Sequence, residues 1–128
     1  MKRAAVELAE NLIGQLESLH EEMAALTKRS PNDAVNTFKI GLINSTLEKC
    51  NKIFGKSYMP FEEFHKFDPD NLPSNSDATI IISQYIHAFE QFRTNNIYQD
   101  EDDGYWYWNV DDKGEPIRTT RPQKLDKD

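Results

Sequence analysis

Two Glu-x-x-His motifs contain the residues of this sequence that are best suited to metal chemistry. Glu17 and His20 form the first motif, and Glu62 and His65 form the second. In carboxylate-bridged helical proteins, such pairs project a carboxylate and an imidazole from a helix toward a metal ion. Here the apolar seam of the first helix turns Glu17 and His20 toward its flank, and the second pair lies in a short segment. We therefore expect no metal and no cofactor, and we keep these four residues as an alternative metal site.

Other residue types that carry catalysis occur in unfavourable settings. Cys50 lies on the apolar face of a predicted helix, where a buried, unreactive thiol is common. Gly55-Lys56-Ser57 matches the end of a phosphate-binding loop, but Cys50 occupies the position where that loop needs its first glycine. His87 and Glu90 are spaced to share a helix face, which favours a hydrogen-bonded surface pair over an acid–base pair. The sequence therefore predicts a protein without catalytic residues.

The C-terminal part of the chain combines acidic and aromatic residues. An acidic run, Asp100–Asp103, precedes the stretch Tyr105–Val110, which holds both tryptophans of the protein. Tyrosine, tryptophan and arginine are the residues that most often dominate binding energy at interfaces, and neighbouring carboxylates select a basic partner. The predicted partner-binding residues are Asp100, Glu101, Asp102, Asp103, Tyr105, Tyr107 and Arg118.

Alternating spacings of four and three residues predict a long first helix over residues 3–29. Its seam consists of Ala5, Ala9, Leu12, Leu16, Leu19, Met23 and Leu26, and Leu8 and Ile13 widen it. The wide stripe favours packing within the chain, while a homodimer through this helix stays open as an alternative.

A second helix is predicted from Ser30, as its cap, and Pro31, as its first residue, to about Phe54. Its apolar positions surround much of its first half, so we expect that half to be buried. Phe61, Phe64 and Phe67 recur at a spacing of three, which predicts a short helical segment. A third long helix is predicted from about Asp77 to Asn95, capped by Ser74 or Ser76. Its seam is formed by Ala78, Ile82, Tyr85, Phe89 and Phe92.

The apolar period changes to two near the C-terminal end. Residues 105–110 and 115–120 flank Asp111-Asp112-Lys113-Gly114, which predicts a β-hairpin with Gly114 at positive φ. Either Trp108 or Tyr107 then faces Arg118, so we expect a cation–π contact in both registers. Alternation separates a tryptophan face from a tyrosine face, and we expect the tryptophan face to pack on the helices.

Together these elements predict a mainly α protein, with three long helices plus a short helical segment in a bundle and a C-terminal β-hairpin appended. One domain over residues 1–128 is expected, with helices over 3–97, the acidic loop and hairpin over 98–121, and a polar tail over 122–128.

Charge and composition restrict the classes of partner. The net charge of −7 argues against direct binding to nucleic acid. Between Asp68 and Asp112 there are ten acidic residues and one basic residue, Arg93. No apolar run is long enough to span a membrane, and there is no signal peptide, so we expect a cytoplasmic protein.

The resulting functional hypothesis is a small acidic, non-enzymatic interaction module, such as a regulator, inhibitor or immunity-type protein, that binds a basic protein surface. Two alternatives stay open. One is an inhibitor that mimics nucleic acid with a row of carboxylates, and the other is a helical metal-binding protein or enzyme that uses the Glu-x-x-His motifs.

Overall fold

The computed structural model describes residues 1–123 and is mainly helical, with a small antiparallel sheet at the C-terminal end. Helix α1 spans Arg3–Arg29, as its seam predicts. Most of the seam is buried in the core of the chain itself, and Leu19 and Leu26 are partly buried against it. Val6 takes the place expected for Ala5, and Leu8 is exposed. A homodimer through α1 would therefore have to use a different face of the helix.

Helix α2 spans Thr37–Phe54, so the predicted start at Ser30 and Pro31 is wrong. Asn36 caps the helix instead, because its side chain accepts a hydrogen bond from the Lys39 N–H at 2.8 Å. Val35 is fully buried just before this cap, and its N–H donates to the Pro73 carbonyl at 2.9 Å. This contact with a distant segment holds residues before Asn36 in an extended path, which local capping signals do not reveal.

The first half of α2 is also less buried than predicted. Phe38 and Leu42 lie one turn apart and are 75% and 48% exposed. The opposite side of the helix is buried, and it presents Ile40, Ile43, Leu47, Cys50 and Phe54 to the core. Helix α2 is therefore a surface helix with one buried face and two large apolar side chains in solvent.

The segment that was expected to form a short helix around Phe61–Phe67 is not helical. Its three phenylalanines still form a cluster, because Phe64 contacts Phe61 and Phe67 edge-on at ring-centroid distances of 6.0 and 5.0 Å. Asn44 binds both the N–H and the C=O of Phe67 at 2.8 Å. The backbone polar groups of Phe67 are thus satisfied by a side chain of α2 rather than by helical hydrogen bonds.

Helix α3 spans Asn75–Thr94, and Ser74 caps it by accepting the Asp77 N–H at 3.1 Å. The predicted seam of α3 is buried throughout. Helix α1 packs against both α3 and α2, and the three helices enclose the core. No helix within residues 1–123 is long and apolar enough to cross a membrane.

The sheet follows α3 and has three antiparallel strands in the order β1-β2-β3. Strand β1 spans Ile97–Gln99, β2 spans Trp106–Trp108, and β3 spans Arg118–Thr119. The hairpin of β2 and β3 confirms the predicted C-terminal hairpin, whereas β1 was not foreseen. The sheet therefore begins at Ile97, and the acidic run lies inside it as the β1–β2 turn. Residues 124–128 of the predicted polar tail lie outside the described part of the chain.

Candidate functional site

The sheet presents two chemically different faces. Ile97 pairs with Trp108 across the first pair of strands, and Tyr98 pairs with Tyr107. Across the second pair of strands Tyr107 pairs with Arg118. Because side chains alternate along a strand, these pairs separate an apolar inner face from an outer face of tyrosines and arginine.

The tryptophan face packs on the helices, as the alternation predicted. Trp108 is only 1% exposed, and its indole Nε1–H donates to Glu10 Oε1 on α1 at 2.6 Å. Trp106 is half-buried against the same core. A buried indole N–H needs an acceptor, so the Glu10 contact fixes where the sheet packs on α1.

The outer face, which we call the tyrosine face, consists of Tyr98, Tyr105, Tyr107 and Arg118. Tyr98 and Tyr105 are 41% and 46% exposed. The Tyr98 and Tyr107 rings lie 6.0 Å apart with their planes inclined by 34°. Arg118 Cζ lies 3.5 Å from the centroid of the Tyr105 ring. The cation–π contact of Arg118 is thus confirmed, but its ring is Tyr105 rather than Trp108 or Tyr107.

Strand β1 adds Tyr98 to the predicted binding residues. Sequence alternation did not identify it, because three residues are too few to show a period of two. A better signal was the spacing of Asp100 and Gly104, which is typical of a tight turn that ends one strand and begins another.

The acidic run closes the β1–β2 turn. The Asp100 carboxylate accepts the N–H groups of Asp102 and Asp103 at 2.8 and 3.2 Å. Gly104 has a φ of 76°, which only glycine adopts without strain, and its N–H donates to the Asp100 carbonyl at 2.9 Å. Asp100 is therefore a turn residue with a structural role.

Asp103 connects this turn to the tyrosine face. Its carboxylate accepts the Tyr105 N–H at 2.8 Å and the Tyr107 hydroxyl at 2.6 Å. The hydrogen bond from Tyr107 lowers the pKa of Asp103, and it raises the pKa of Tyr107 to about 12. Both groups lie at the protein surface, where solvent weakens such a contact.

The two central carboxylates of the acidic run are differently placed. Glu101 and Asp102 are exposed, and their side chains accept no hydrogen bond within residues 1–123. The four predicted acidic residues thus divide into two that build the turn and two that face solvent beside the tyrosines.

The β2–β3 turn differs from the predicted one. Gly114 does not have a positive φ, so the expected bulge at that residue is wrong. The turn is held by α1 instead, because the Arg3 guanidinium binds the Asp112 carboxylate at 2.9 and 3.1 Å and the Glu115 carbonyl at 2.7 Å. An added Cβ at Gly114 would lie 2.6 Å from Arg3 Nη2, so this glycine leaves room for the guanidinium.

Arg93 is a structural residue that the sequence reasoning missed. It is buried, and its guanidinium binds both oxygens of Glu90 at 2.6 and 2.8 Å. The remaining N–H groups donate to Thr119 Oγ1 and to the carbonyls of Thr120 and Arg121, between 2.6 and 2.9 Å. In the sequence, its position as the single basic residue between Asp68 and Asp112 was the feature that could have indicated a structural ion pair.

A groove of about 780 Å³ lies where α1, α3 and β3 meet, and we call it the α1–α3–β3 groove. Ile13, Ile86 and Ile117 are half-buried residues in its lining. Glu10 and Glu17 line it from α1. Its size is that of a ligand pocket, although the described residues around it offer no nucleophile paired with a base.

The residues of the alternative metal site do not come together. Glu17 and His20 lie on α1, whereas Glu62 and His65 lie in the irregular segment after α2. No group of three or more histidine, cysteine, aspartate or glutamate side chains in the described part of the chain is arranged to hold a metal ion. The two Glu-x-x-His pairs therefore lie on separate elements of the fold.

The carboxylates of the acidic region are distributed over several elements. Asp77 lies in the first turn of α3, Glu90 binds Arg93, and Asp112 binds Arg3. This distribution gives no support to the row of phosphate-like charges that nucleic-acid mimicry needs.

Comparison of the chain with protein-family models, with curated proteins and with solved structures gives no match.

Proposed function

We propose that this protein is a non-enzymatic interaction module, and that the tyrosine face with Glu101 and Asp102 binds a basic surface on a protein partner. The observation that supports it most is the exposure of Tyr98 and Tyr105 on a sheet whose other face packs on the helices through Trp108. Tyrosine and arginine supply large contact area at low entropy cost, and they are frequent hot-spot residues.

The charge of the face favours a basic partner. Arg118 is the one cation of the tyrosine face, and it is already engaged with the Tyr105 ring. Glu101 and Asp102 extend beside the tyrosines, and the chain as a whole carries a net charge of −7. Such a field accelerates encounter with a cationic surface and weakens at high salt.

Cys50, the single cysteine of the sequence, is buried and is not activated as a nucleophile. Burial raises the pKa of the Cys50 thiol to about 12, so the thiol is protonated and unreactive at neutral pH. A regulator, inhibitor or immunity-type protein acts through a complementary surface and needs no catalytic group, which is compatible with a buried thiol.

Quantitative affinity capture from native lysate tests the proposal. The double variant Tyr98→Ser/Tyr105→Ser removes the exposed rings, and Glu101→Gln/Asp102→Asn removes the solvent-facing charge. Phe38→Ser/Leu42→Ser is the matched control, because it removes two exposed apolar side chains from α2.

We expect both face variants to lose the same basic partner at least tenfold, and the α2 control to retain it. The charge variant should also reduce the salt sensitivity of capture. The proposal fails if both face variants recover the same proteins as the unaltered chain, or if only the α2 control loses a partner.

A further inference from the structure

The α1–α3–β3 groove lies at the free edge of the sheet. Strand β3 pairs only with β2, so its other edge has no strand partner within the described residues. The Trp108 N–H donates to the Ile117 carbonyl at 2.9 Å, which makes Trp108 and Ile117 a hydrogen-bonded pair. Pairs alternate along an antiparallel ladder, so the N–H and C=O of Arg118 point away from β2.

Arg93 closes one end of this edge. Its Nη1 donates to the Thr120 carbonyl at 2.6 Å and its Nη2 to the Arg121 carbonyl at 2.9 Å. These bonds occupy main-chain acceptors that would otherwise extend the edge, as a protected edge strand requires. The open part of the edge is therefore short and centred on Arg118.

The remaining walls of the groove combine apolar surface with carboxylates, and Arg93 among them is paired with Glu90. Ile13, Ile86 and Ile117 come from three different elements and are only half-buried. Glu17 is exposed on the α1 wall, and its carboxylate makes no ion pair or hydrogen bond within residues 1–123. An occupant that fits must offer main-chain hydrogen bonds to Arg118, an apolar side chain for the isoleucines, and a cation for Glu17.

We infer that the groove is a second binding site, distinct from the tyrosine face, which takes an extended peptide segment of a partner in which an apolar and a basic side chain are two residues apart. The peptide adds a strand beside β3 through the main-chain groups of Arg118. Its apolar side chains cover the isoleucines, and a lysine or arginine meets Glu17. Glu17 lies one turn from Ile13 on the same wall, and side chains two residues apart on a strand point to the same side, so an apolar and a basic side chain at that spacing can reach the isoleucines and Glu17 together.

The test uses the full chain labelled with ¹⁵N and a synthetic peptide with the repeat Val-Thr-Lys-Thr as the probe, in which valine and lysine share one face of the strand. Backbone amide shifts are recorded during titration. Two matched probes separate the contributions. One replaces lysine by glutamate, and the other carries N-methyl groups that remove its main-chain donors. We expect shifts at Ile86, Arg118 and Thr119 with the lysine probe, and at least tenfold weaker binding with either matched probe.

Variants on the protein side assign the charge contact. Glu17→Gln should weaken binding about threefold, as expected for one solvent-exposed ion pair. Glu21→Gln is the control, because Glu21 is an exposed residue of α1 outside the groove lining and should leave the affinity unchanged.

Four outcomes would overturn the inference. The first is an N-methylated or glutamate probe that binds as tightly as the lysine probe. The second is a set of shifts at Tyr98 and Tyr107 instead, which would leave the tyrosine face as the basic-partner site. Concentration-dependent shifts at Ile86 and Thr119 without peptide would assign the groove to a second copy of the chain. Nuclear Overhauser contacts from Leu125 to Ile86 in the free protein would assign it to the chain's own C-terminal segment.

Discussion

Arg93 and Glu90 form a bidentate ion pair between neighbouring turns of α3, with Nε–Oε1 at 2.6 Å and Nη2–Oε2 at 2.8 Å. The side chains are only 5% and 14% exposed. Through its other N–H groups Arg93 also holds the carbonyls of Thr120 and Arg121. The pair therefore couples the third helix to the strand that carries Arg118 of the tyrosine face.

Removing one partner of this pair should be strongly destabilising. We predict that Arg93→Met lowers the free energy of unfolding by about 3 kcal/mol, because it leaves Glu90 without its cation in a partly buried site. Equilibrium urea denaturation measures the change, and Arg29→Met at the exposed end of α1 is the control. A loss no larger than in the control would show that the ion pair does not hold β3. The double variant Arg93→Met/Glu90→Leu should recover part of the loss, since it removes the uncompensated charge.

The hydrogen bond between Tyr107 and Asp103 should be visible in a titration. It raises the pKa of Tyr107 to about 12. Asp103→Asn removes the negative charge that the hydroxyl faces, so we predict that the pKa of Tyr107 falls toward the ordinary value of about 10. Titration of the Tyr107 ring carbon by NMR measures it, and Glu101→Gln is the control. An unchanged pKa in Asp103→Asn would contradict the contact.

The same contact gives a pH dependence of stability with a defined sign. The pKa of Asp103 is lowered in the folded state, first by the Tyr107 hydroxyl and then by the Tyr105 N–H. Its contribution is therefore present above the unfolded pKa of about 4 and is lost as the pH falls through the folded pKa. We predict that the stability difference between the unaltered chain and Asp103→Asn shrinks as the pH is lowered below about 4. Chemical denaturation at a series of pH values checks this, and a difference that is constant with pH would rule the linkage out.

The Cys50 thiol should be protected in the folded protein. Burial raises its pKa to about 12. We predict that an aromatic disulfide reagent at neutral pH modifies Cys50 far more slowly in the native protein than in urea, because the reactive form is the thiolate. Stability should be fully present below about pH 9 and decline as the pH rises toward 12, since the unfolded thiol ionises first. Equal modification rates in buffer and urea would place Cys50 at the surface.

The long helices of this fold were predictable because many apolar residues in each of them follow the same helical spacing. The bounds of α1 follow from its repeated apolar spacing. The cap of α3 was predicted as Ser74 or Ser76 from their hydroxyl side chains, and it is Ser74. The start of α2 was not predictable in this way, because Val35 is drawn to the Pro73 carbonyl by a contact across the fold. Similarly, the spacing of Phe61, Phe64 and Phe67 suits a helix, but Asn44 binds the backbone of Phe67 from outside the segment.

The candidate site was predictable in its residue types and less so in its geometry. Alternation correctly separated Trp108 from the tyrosines and placed Arg118 against an aromatic ring. The ring is Tyr105 because a long arginine side chain reaches the diagonal neighbour of its direct partner Tyr107. Tyr98 was not among the predicted binding residues, because its strand has only three residues and shows no clear period of two.

Site-specific photo-crosslinking tests the central claim, that the tyrosine face binds a basic protein partner, most directly. A benzophenone amino acid is placed at Tyr98 in one protein and at Phe38, the exposed control on α2, in another. Irradiation in native lysate at low and raised salt is followed by mass spectrometry of the adducts. We predict a discrete adduct with a basic protein from position 98 alone, which weakens as the salt concentration rises. The same adducts from both positions, or none from position 98 above background, would contradict the account.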